Sequence, residues 1–141
     1  MGMFLFLIAV AGALLLIVFV DLQRRRRHRA HVARRAWEQW HTLSILNDPS
    51  RRILEAESIL DRALRDLGYQ GTFGEKLKKL QKSLSNIDAV WLAHKLRNRI
   101  AHEPGTVVRP NDAATAIRAF EQTLETIIAH SLSYNSKKLR S

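Results

Sequence analysis

The chain has 141 residues and no cysteine, so it can form one domain of modest size and no disulfide bond, and it carries no information about redox compartment. Its net charge of +10 divides into +6 for residues 1–35 and +4 for residues 36–141, and Lys137, Lys138 and Arg140 supply three of the latter four. The central part is therefore nearly neutral, which removes overall basicity as an argument for nucleic-acid binding.

The first predicted element is an apolar helix that spans a membrane. Residues 3–20 contain no charged side chain. At 1.5 Å per residue this stretch measures roughly 27 Å, close to the hydrocarbon thickness of a bilayer. A cleaved signal peptide is the alternative, and it has a basic first region, a shorter apolar core and a small-residue cleavage site. No basic residue precedes Phe4, and Asp21 directly follows Val18-Phe19-Val20. We therefore predict a retained anchor over residues 1–22.

A basic juxtamembrane segment, residues 23–36, follows the anchor. Its arginines are Arg24, Arg25, Arg26, Arg27, Arg29, Arg34 and Arg35. By the positive-inside rule, a single-pass protein of the cell membrane with this segment has its C-terminal domain in the cytoplasm. Each basic residue near an anionic leaflet contributes on the order of 1 kcal/mol of attraction, so we expect Arg24 to Arg27 and Arg29 to contact anionic lipid. Contact with RNA is the alternative for this run.

The next segments have helix signals. No glycine or proline occurs between Gly12 and Pro49, so the first helix is predicted to continue through the arginines. Asn47-Asp48-Pro49 begins a second helix, and Gly68 ends it. Thr72 and Glu75 have the spacing of a capping box for a short third helix, which favours a cap over a nucleotide-binding loop for the glycine-rich segment before it.

Two further helices complete the pattern. One is capped by Ser85, Asn86 or Asp88 and ends at Pro104-Gly105, and the other begins at Pro110. The apolar stripe of the last helix is predicted to be core or dimer interface. Its members are Ala113, Ala116, Ile117, Phe120, Leu124, Ile127 and Ile128. The sequence thus predicts an all-α fold, in which a single transmembrane helix precedes a small helical bundle over residues 37–132 and a disordered basic tail over residues 133–141.

The densest polar chemistry lies at the end of the fourth predicted helix, in residues 94–105, His-Lys-Leu-Arg-Asn-Arg-Ile-Ala-His-Glu-Pro-Gly. Apolar residues bracket this segment, so part of it should lie against the core. Within it, Arg97-Asn98-Arg99-Ile100-Ala101-His102 resembles the R-x4-6-H motif of the HEPN superfamily. The wider phrase from Trp91 to Pro104 also resembles a group of membrane-tethered bacterial proteins.

The HEPN superfamily consists of small helical domains that are usually dimeric, and many are metal-independent ribonucleases. By helix number and order the resemblance covers about residues 37–132. It implies that Arg97 and His102 line a cleft between two protomers, with Asn98 as an accessory polar residue. A homodimer that contacts RNA, without a metal or other cofactor, is therefore expected.

The residue types fit that chemistry. His102 can exchange a proton with a ribose hydroxyl or a leaving oxygen, while Arg97 stabilises charge on the phosphoryl group. Asn98 can orient either side chain, and His94 and Arg99 are candidate substrate contacts. Basic residues available for RNA elsewhere are few: Lys76, Lys78, Lys79, Lys82 and Lys95.

A structural role is the alternative for the same residues. A histidine in the last turn interacts favourably with helix carbonyls, and Arg97 or Arg99 can pair with Glu55, Glu57 or Glu103. Arg97 and His102 also lie about 140° apart around a helix, so their side chains do not meet automatically. The length of arginine and a loosened last turn before Pro104 could bring them to one phosphate, above all if a second protomer supplies its own copy, so catalysis almost requires a dimer. A metal site at His94, His102 and Glu103 has too few ligands. Two classes of function remain: a membrane-tethered ribonuclease, and a non-catalytic helical interaction or dimerisation module.

Overall fold

The structure is a computed structural model that describes the backbone of residues 1–138 and the side chains of residues 1–133. Its helices are α1 (Gly2–His41), α2 (Pro49–Asp66), α3 (Phe73–Leu80), α4 (Ile87–His102) and α5 (Pro110–Lys138). A 3₁₀ turn, Thr42–Ile45, joins α1 to α2. The described residues contain no strand, which confirms the predicted all-α fold.

Helix α1 is continuous for 40 residues but has two different surroundings. Its first half is long and apolar enough to cross a membrane, and none of that apolar window is buried against the rest of the chain. Its last third contributes Val32, Ala36 and Trp40 to the core of the bundle. The helix therefore continues through the arginine run, as the lack of glycine and proline predicted.

The predicted helix boundaries rest on local hydrogen bonds. The Asp48 carboxylate accepts from the backbone N–H groups of Ser50 and Arg51 at the start of α2. Gly68 follows the end of that helix with a φ of 100°, a conformation that favours glycine. Thr72 and Glu75 form the predicted capping box of α3. These boundaries are confirmed.

Helices α2, α4 and α5 pack together with the last third of α1, and the short α3 packs beside α4. The core includes Phe120, Leu60 and Leu77, which are fully buried. At the start of α4, Asn86 occupies the cap position, but its side-chain amide donates to the Ala119 carbonyl of α5 instead of capping its own helix.

Helices α1 and α5 run antiparallel. Arg29 Nη1 donates to the Ser131 carbonyl oxygen at 2.7 Å, and Trp40 Nε1 donates to Glu121 Oε1 at 3.1 Å. The end of α5 therefore approaches the arginine run of α1. His28 Nε2 also lies 3.0 Å from the Asp66 carbonyl oxygen, so the C-terminal end of α2 meets α1 at the same level.

Helix α5 is longer than the sequence predicted. Disorder was expected from Ser133, but the backbone is helical as far as Lys138. No glycine or proline follows Pro110, so nothing in the sequence interrupts the helix. The last three positions of the predicted tail, residues 139–141, lie outside the described residues.

Candidate functional site

The candidate site begins with a carboxylate in a core position of α2. Glu57 is four residues after Ile53 and three before Leu60, both fully buried, and it is itself only 5% exposed. The helical pattern predicts an apolar residue at this position. A buried carboxylate here is costly unless it is paired and hydrogen-bonded. Glu57 has such partners on α4.

Glu57, His94, Asn98 and Arg97 form a closed ring of polar contacts, here called the polar ring. Glu57 Oε2 lies 2.7 Å from His94 Nδ1, and Glu57 Oε1 lies 3.0 Å from Arg97 Nε. His94 Nε2 lies 3.2 Å from Asn98 Nδ2, and Arg97 Nη1 donates to Asn98 Oδ1 at 3.3 Å. The ring joins α2 to two turns of α4.

The donors and acceptors of the polar ring are consistent with one another. Arg97 is always a donor, so Asn98 must direct its oxygen toward Arg97 and its NH₂ group toward His94. His94 Nε2 then accepts, and the hydrogen on Nδ1 is donated to the Glu57 carboxylate. Each member of the ring thereby fixes the orientation of the next.

Aromatic side chains hold the His94 ring in place. The Phe73 and His94 ring centroids are 5.1 Å apart, and those of Trp91 and His94 are 5.8 Å apart. A Cβ atom at Gly74 would lie 3.3 Å from Trp91 Cη2, so glycine allows α3 this close to α4. His94 therefore has little freedom to rotate, and its side chain is only 16% exposed.

Arg97 is held but not fully engaged. Its buried Nε atom lies within ion-pair distance of Glu57, but the N–H direction misses the carboxylate oxygen, so the contact is an ion pair without a hydrogen bond. About a third of the side chain is exposed, and the described residues give Nη2 no hydrogen bond. Arg97 can therefore still donate to a ligand.

His102 and Arg99 lie outside the polar ring. His102 is exposed in the last turn of α4, and the described part of the chain offers it no hydrogen bond or ion pair. Arg99 Nε lies 3.6 Å from Glu103 Oε2 in an exposed pair. The last turn is regular, because Glu103 N–H donates to the Arg99 carbonyl at 2.8 Å. Arg97 therefore faces α2, and His102 lies five residues further along on another side of α4.

The structure thus brings together three of the predicted site residues, His94, Arg97 and Asn98, with Glu57 as the organising partner. Sequence reasoning considered Glu57 only as one of three acidic partners for an arginine. The signal that distinguishes it is its place in the apolar stripe of α2. Of the pairings considered for a structural role, those of Arg97 with Glu57 and of Arg99 with Glu103 are present.

The basic residues near the site are fewer than the sequence suggested. Lys76 is 2% exposed, and its Nζ lies 2.7 Å from Asp61 Oδ1, so it is not available to a nucleic acid. Lys78, Lys79, Lys82 and Lys95 are exposed.

Among the described residues, no group of three or more histidine, aspartate and glutamate side chains could hold a metal ion.

Neither a protein-family model, nor a curated protein, nor a solved structure matches this chain.

Proposed function

We propose that this protein is a membrane-anchored helical domain with its bundle on the cytoplasmic side. The length and apolar composition of the first half of α1 support the span, and the arginine run that follows supports the orientation. The continuity of α1 supports retention of the anchor, because the same helix supplies core residues such as Trp40.

We further propose that the bundle is a HEPN-like, metal-independent endoribonuclease. The observation that carries this proposal is that α4 holds both the polar ring, on its α2 side, and an exposed His102 for which the described residues offer no hydrogen bond or ion pair. Apolar residues in place of Glu57 and its partners would be buried at a lower desolvation cost than these charged and polar groups. Polar groups that break the local pattern of a core are typical of functional sites. The ring gives Arg97 a fixed orientation, while His102 remains free to act on a substrate.

The proposed reaction needs only groups that the chain contains. His102 removes the proton from a ribose 2′-hydroxyl, and the 2′-oxygen attacks the adjacent phosphorus. The bond from phosphorus to the 5′-oxygen breaks, and that oxygen takes the proton from the His102 imidazolium, which restores the neutral histidine. The products are a 2′,3′-cyclic phosphate and a 5′-hydroxyl. Arg97 stabilises the charge that develops on the phosphoryl oxygens, and Asn98 orients Arg97.

In the proposed reaction the active unit is a dimer, and the spacing of the two residues on α4 supports this. Five residues of regular helix separate Arg97 from His102 by about 7.5 Å along the axis and about 140° around it. One protomer therefore cannot easily direct both groups at one phosphate. In a two-fold dimer, Arg97 of one protomer can face His102 of the other, which gives two equivalent sites, each with one arginine and one histidine.

A non-catalytic interaction or dimerisation module is the second candidate. The pairing of Arg97 with Glu57 favours it, because this contact would also be made if the motif only fastened α4 to α2. The two candidates differ in what His102 does. In a structural module His102 contributes only the modest attraction of a last-turn histidine for the helix carbonyls, whereas the proposed ribonuclease cannot work without it.

The test uses the full chain in mild detergent, because the core extends back to Val32 in α1. RNA is incubated with the protein in excess EDTA, and cleavage products are analysed for cyclic phosphate ends. We expect cleavage by the natural sequence, a loss of at least about a hundredfold in His102→Ala, and little change in His130→Ala, a matched exposed histidine on α5. No cleavage by a folded dimer would favour the interaction module.

A mixing experiment tests the shared site. Arg97→Lys and His102→Ala should each be inactive, but a mixed dimer contains one site with both natural residues. An equal mixture should therefore recover about a quarter of the natural activity, since half of the dimers are mixed and each has one intact site. If mixing restores nothing while the subunits exchange, Arg97 and His102 do not act across the dimer.

A further inference from the structure

A second charged feature lies where α1 leaves its apolar part and meets the bundle. A cleft of about 340 Å³ is present there, and its lining is Arg24, Arg25, His28, Arg29, Asp66 and Leu67. The contact of His28 Nε2 with the Asp66 carbonyl joins the two walls of the cleft, α1 and the end of α2. Arg29 is also held from outside the lining, because it donates to the Ser131 carbonyl of α5. The cleft therefore depends on the packing of α1 against α2, and the position of Arg29 depends on α5.

The lining is strongly basic. It contains three guanidinium groups and one carboxylate, that of Asp66. Arg24 is exposed, and the described residues offer it no hydrogen bond or ion pair. Arg25 Nε lies 2.8 Å from Asp21 Oδ2, but both side chains are more than half exposed. Exposed pairs of this kind stabilise little, so Arg25 can exchange Asp21 for a stronger acceptor.

The position of the cleft along α1 indicates what it binds. Arg24 is four residues beyond Val20, the last apolar residue of the span, which corresponds to about 6 Å along the helix. The polar headgroup region adds roughly 5 to 7 Å to each side of the hydrocarbon layer. Arg24 and Arg25 therefore lie at the depth of lipid phosphates, and His28 lies just beyond it.

We propose that this cleft binds the phosphate of an anionic phospholipid headgroup through Arg24 and Arg25, and so docks the bundle against the membrane surface. The proposal rests on the proposed membrane span. A guanidinium can bind a phosphate through two parallel hydrogen bonds, which a diffuse charge attraction does not provide. Arg26 and Arg27 belong to the same run but do not line the cleft. They attract the leaflet only through their charge.

These neighbours supply a matched control. The full-length chain is purified in neutral detergent, and bound phosphatidylglycerol and phosphatidylcholine are counted by native mass spectrometry during lipid titration. Arg24→Gln with Arg25→Gln should weaken phosphatidylglycerol binding about tenfold, the loss of roughly one charge-assisted contact. Arg26→Gln with Arg27→Gln removes the same charge, but a neutral micelle has no anionic leaflet for that charge to attract, so binding of single lipids should change by less than about twofold. Equal losses in the two double variants would overturn the cleft and leave only a charge effect.

Two further measurements complete the test. The first distinguishes binding of a lipid from binding of a free phosphate ester, and the second distinguishes the effect of charge from the effect of hydrogen-bond geometry. Glycerol 3-phosphate at the same concentration should not displace phosphatidylglycerol, and displacement would overturn the assignment to lipid. Arg24→Lys with Arg25→Lys keeps the charge but loses the paired hydrogen bonds, so its affinity should fall between the natural chain and the glutamine variant. Full binding by the lysine variant would also count against the cleft.

Flotation distinguishes the failure of this proposal from failure of the span. The natural chain should float with vesicles of phosphatidylcholine alone, because the apolar helix holds it there. If it does not float, the membrane span is wrong. If it floats and the two glutamine variants bind phosphatidylglycerol equally well, the span stands and the cleft proposal fails. Circular dichroism and unfolding curves of the variants establish that the bundle is intact.

Discussion

Glu57 is the residue on which the polar ring depends. Its two carboxylate oxygens contact different side chains, His94 through Oε2 and Arg97 through Oε1. Without it, the imidazole Nδ1–H would lose its acceptor and the guanidinium would lose its carboxylate partner and keep only the Asn98 oxygen. Removing one partner of a buried pair costs more than removing both, because the remaining charge is unpaired.

We therefore expect Glu57→Ala to lower the free energy of unfolding by about 2 kcal/mol, less than for a fully enclosed pair because Arg97 is partly exposed. Chemical denaturation of the full chain measures this change. Glu55→Ala, an exposed glutamate on the same helix, is the control and should change stability by less than about 0.5 kcal/mol. Equal effects of the two substitutions would show that the ring does not stabilise the bundle.

At the scale of single elements, the short helix α3 depends on its N-terminal cap. It has only eight residues, and isolated helices of this length are not stable in water. The Thr72 N–H donates to Glu75 Oε2 at 2.7 Å, and the Thr72 hydroxyl donates to the same oxygen at 3.1 Å. These hydrogen bonds, first from the backbone and then from the side chain, hold the pKa of Glu75 below its ordinary value.

The lowered pKa gives the pH dependence of this cap a definite sign. Because the folded pKa is below the unfolded one, the stabilisation is fully present above the ordinary glutamate pKa and is lost as pH falls through the folded value. Unfolding of the natural chain and of Glu75→Gln is compared from neutral to acidic pH. The stability difference should shrink at acidic pH, while Glu125→Gln, an exposed control on α5, should show no such trend. A difference that is constant with pH would contradict the cap interpretation.

At the scale of the whole molecule, α1 connects the proposed membrane span directly to the core. No flexible linker separates the two parts, since one helix runs from Gly2 to His41. With the proposed span in a membrane, the bundle would be held at a fixed distance from it, with the C-terminal end of α2 near the arginine run. This arrangement would limit the proposed substrates or partners of α4 to those that reach the membrane surface.

The absence of cysteine makes the orientation testable. Ser85→Cys introduces a single thiol at an exposed position between α3 and α4, and Gly2→Cys introduces one at the N-terminus. In intact cells, a maleimide that does not cross membranes should label position 2 and not position 85. Both should react after lysis. Labelling of position 85 in intact cells would place the bundle on the outer side.

The sequence by itself determined the secondary structure and the apolar first half of α1. The start of α2 at Asp48-Pro49 and the capping box of Thr72 with Glu75 were predictable, because capping acts between residues two to three positions apart. The continuity of α1 followed from composition alone. The end of α5 was less predictable, because a polar tail without glycine or proline can be helical or disordered.

Only the tertiary structure decided which polar residues meet. Glu57 and His94 are 37 residues apart, and Arg29 and Ser131 are 102 apart, so no local pattern relates them. Lys76 is buried against Asp61 and so does not belong to the basic surface, and Arg97 points toward Glu57 of α2 and not toward His102. The physical reason is that the packing of the helices determines which side chains become neighbours. A buried charge then needs a partner, and that partner comes from the groups that packing has placed beside it.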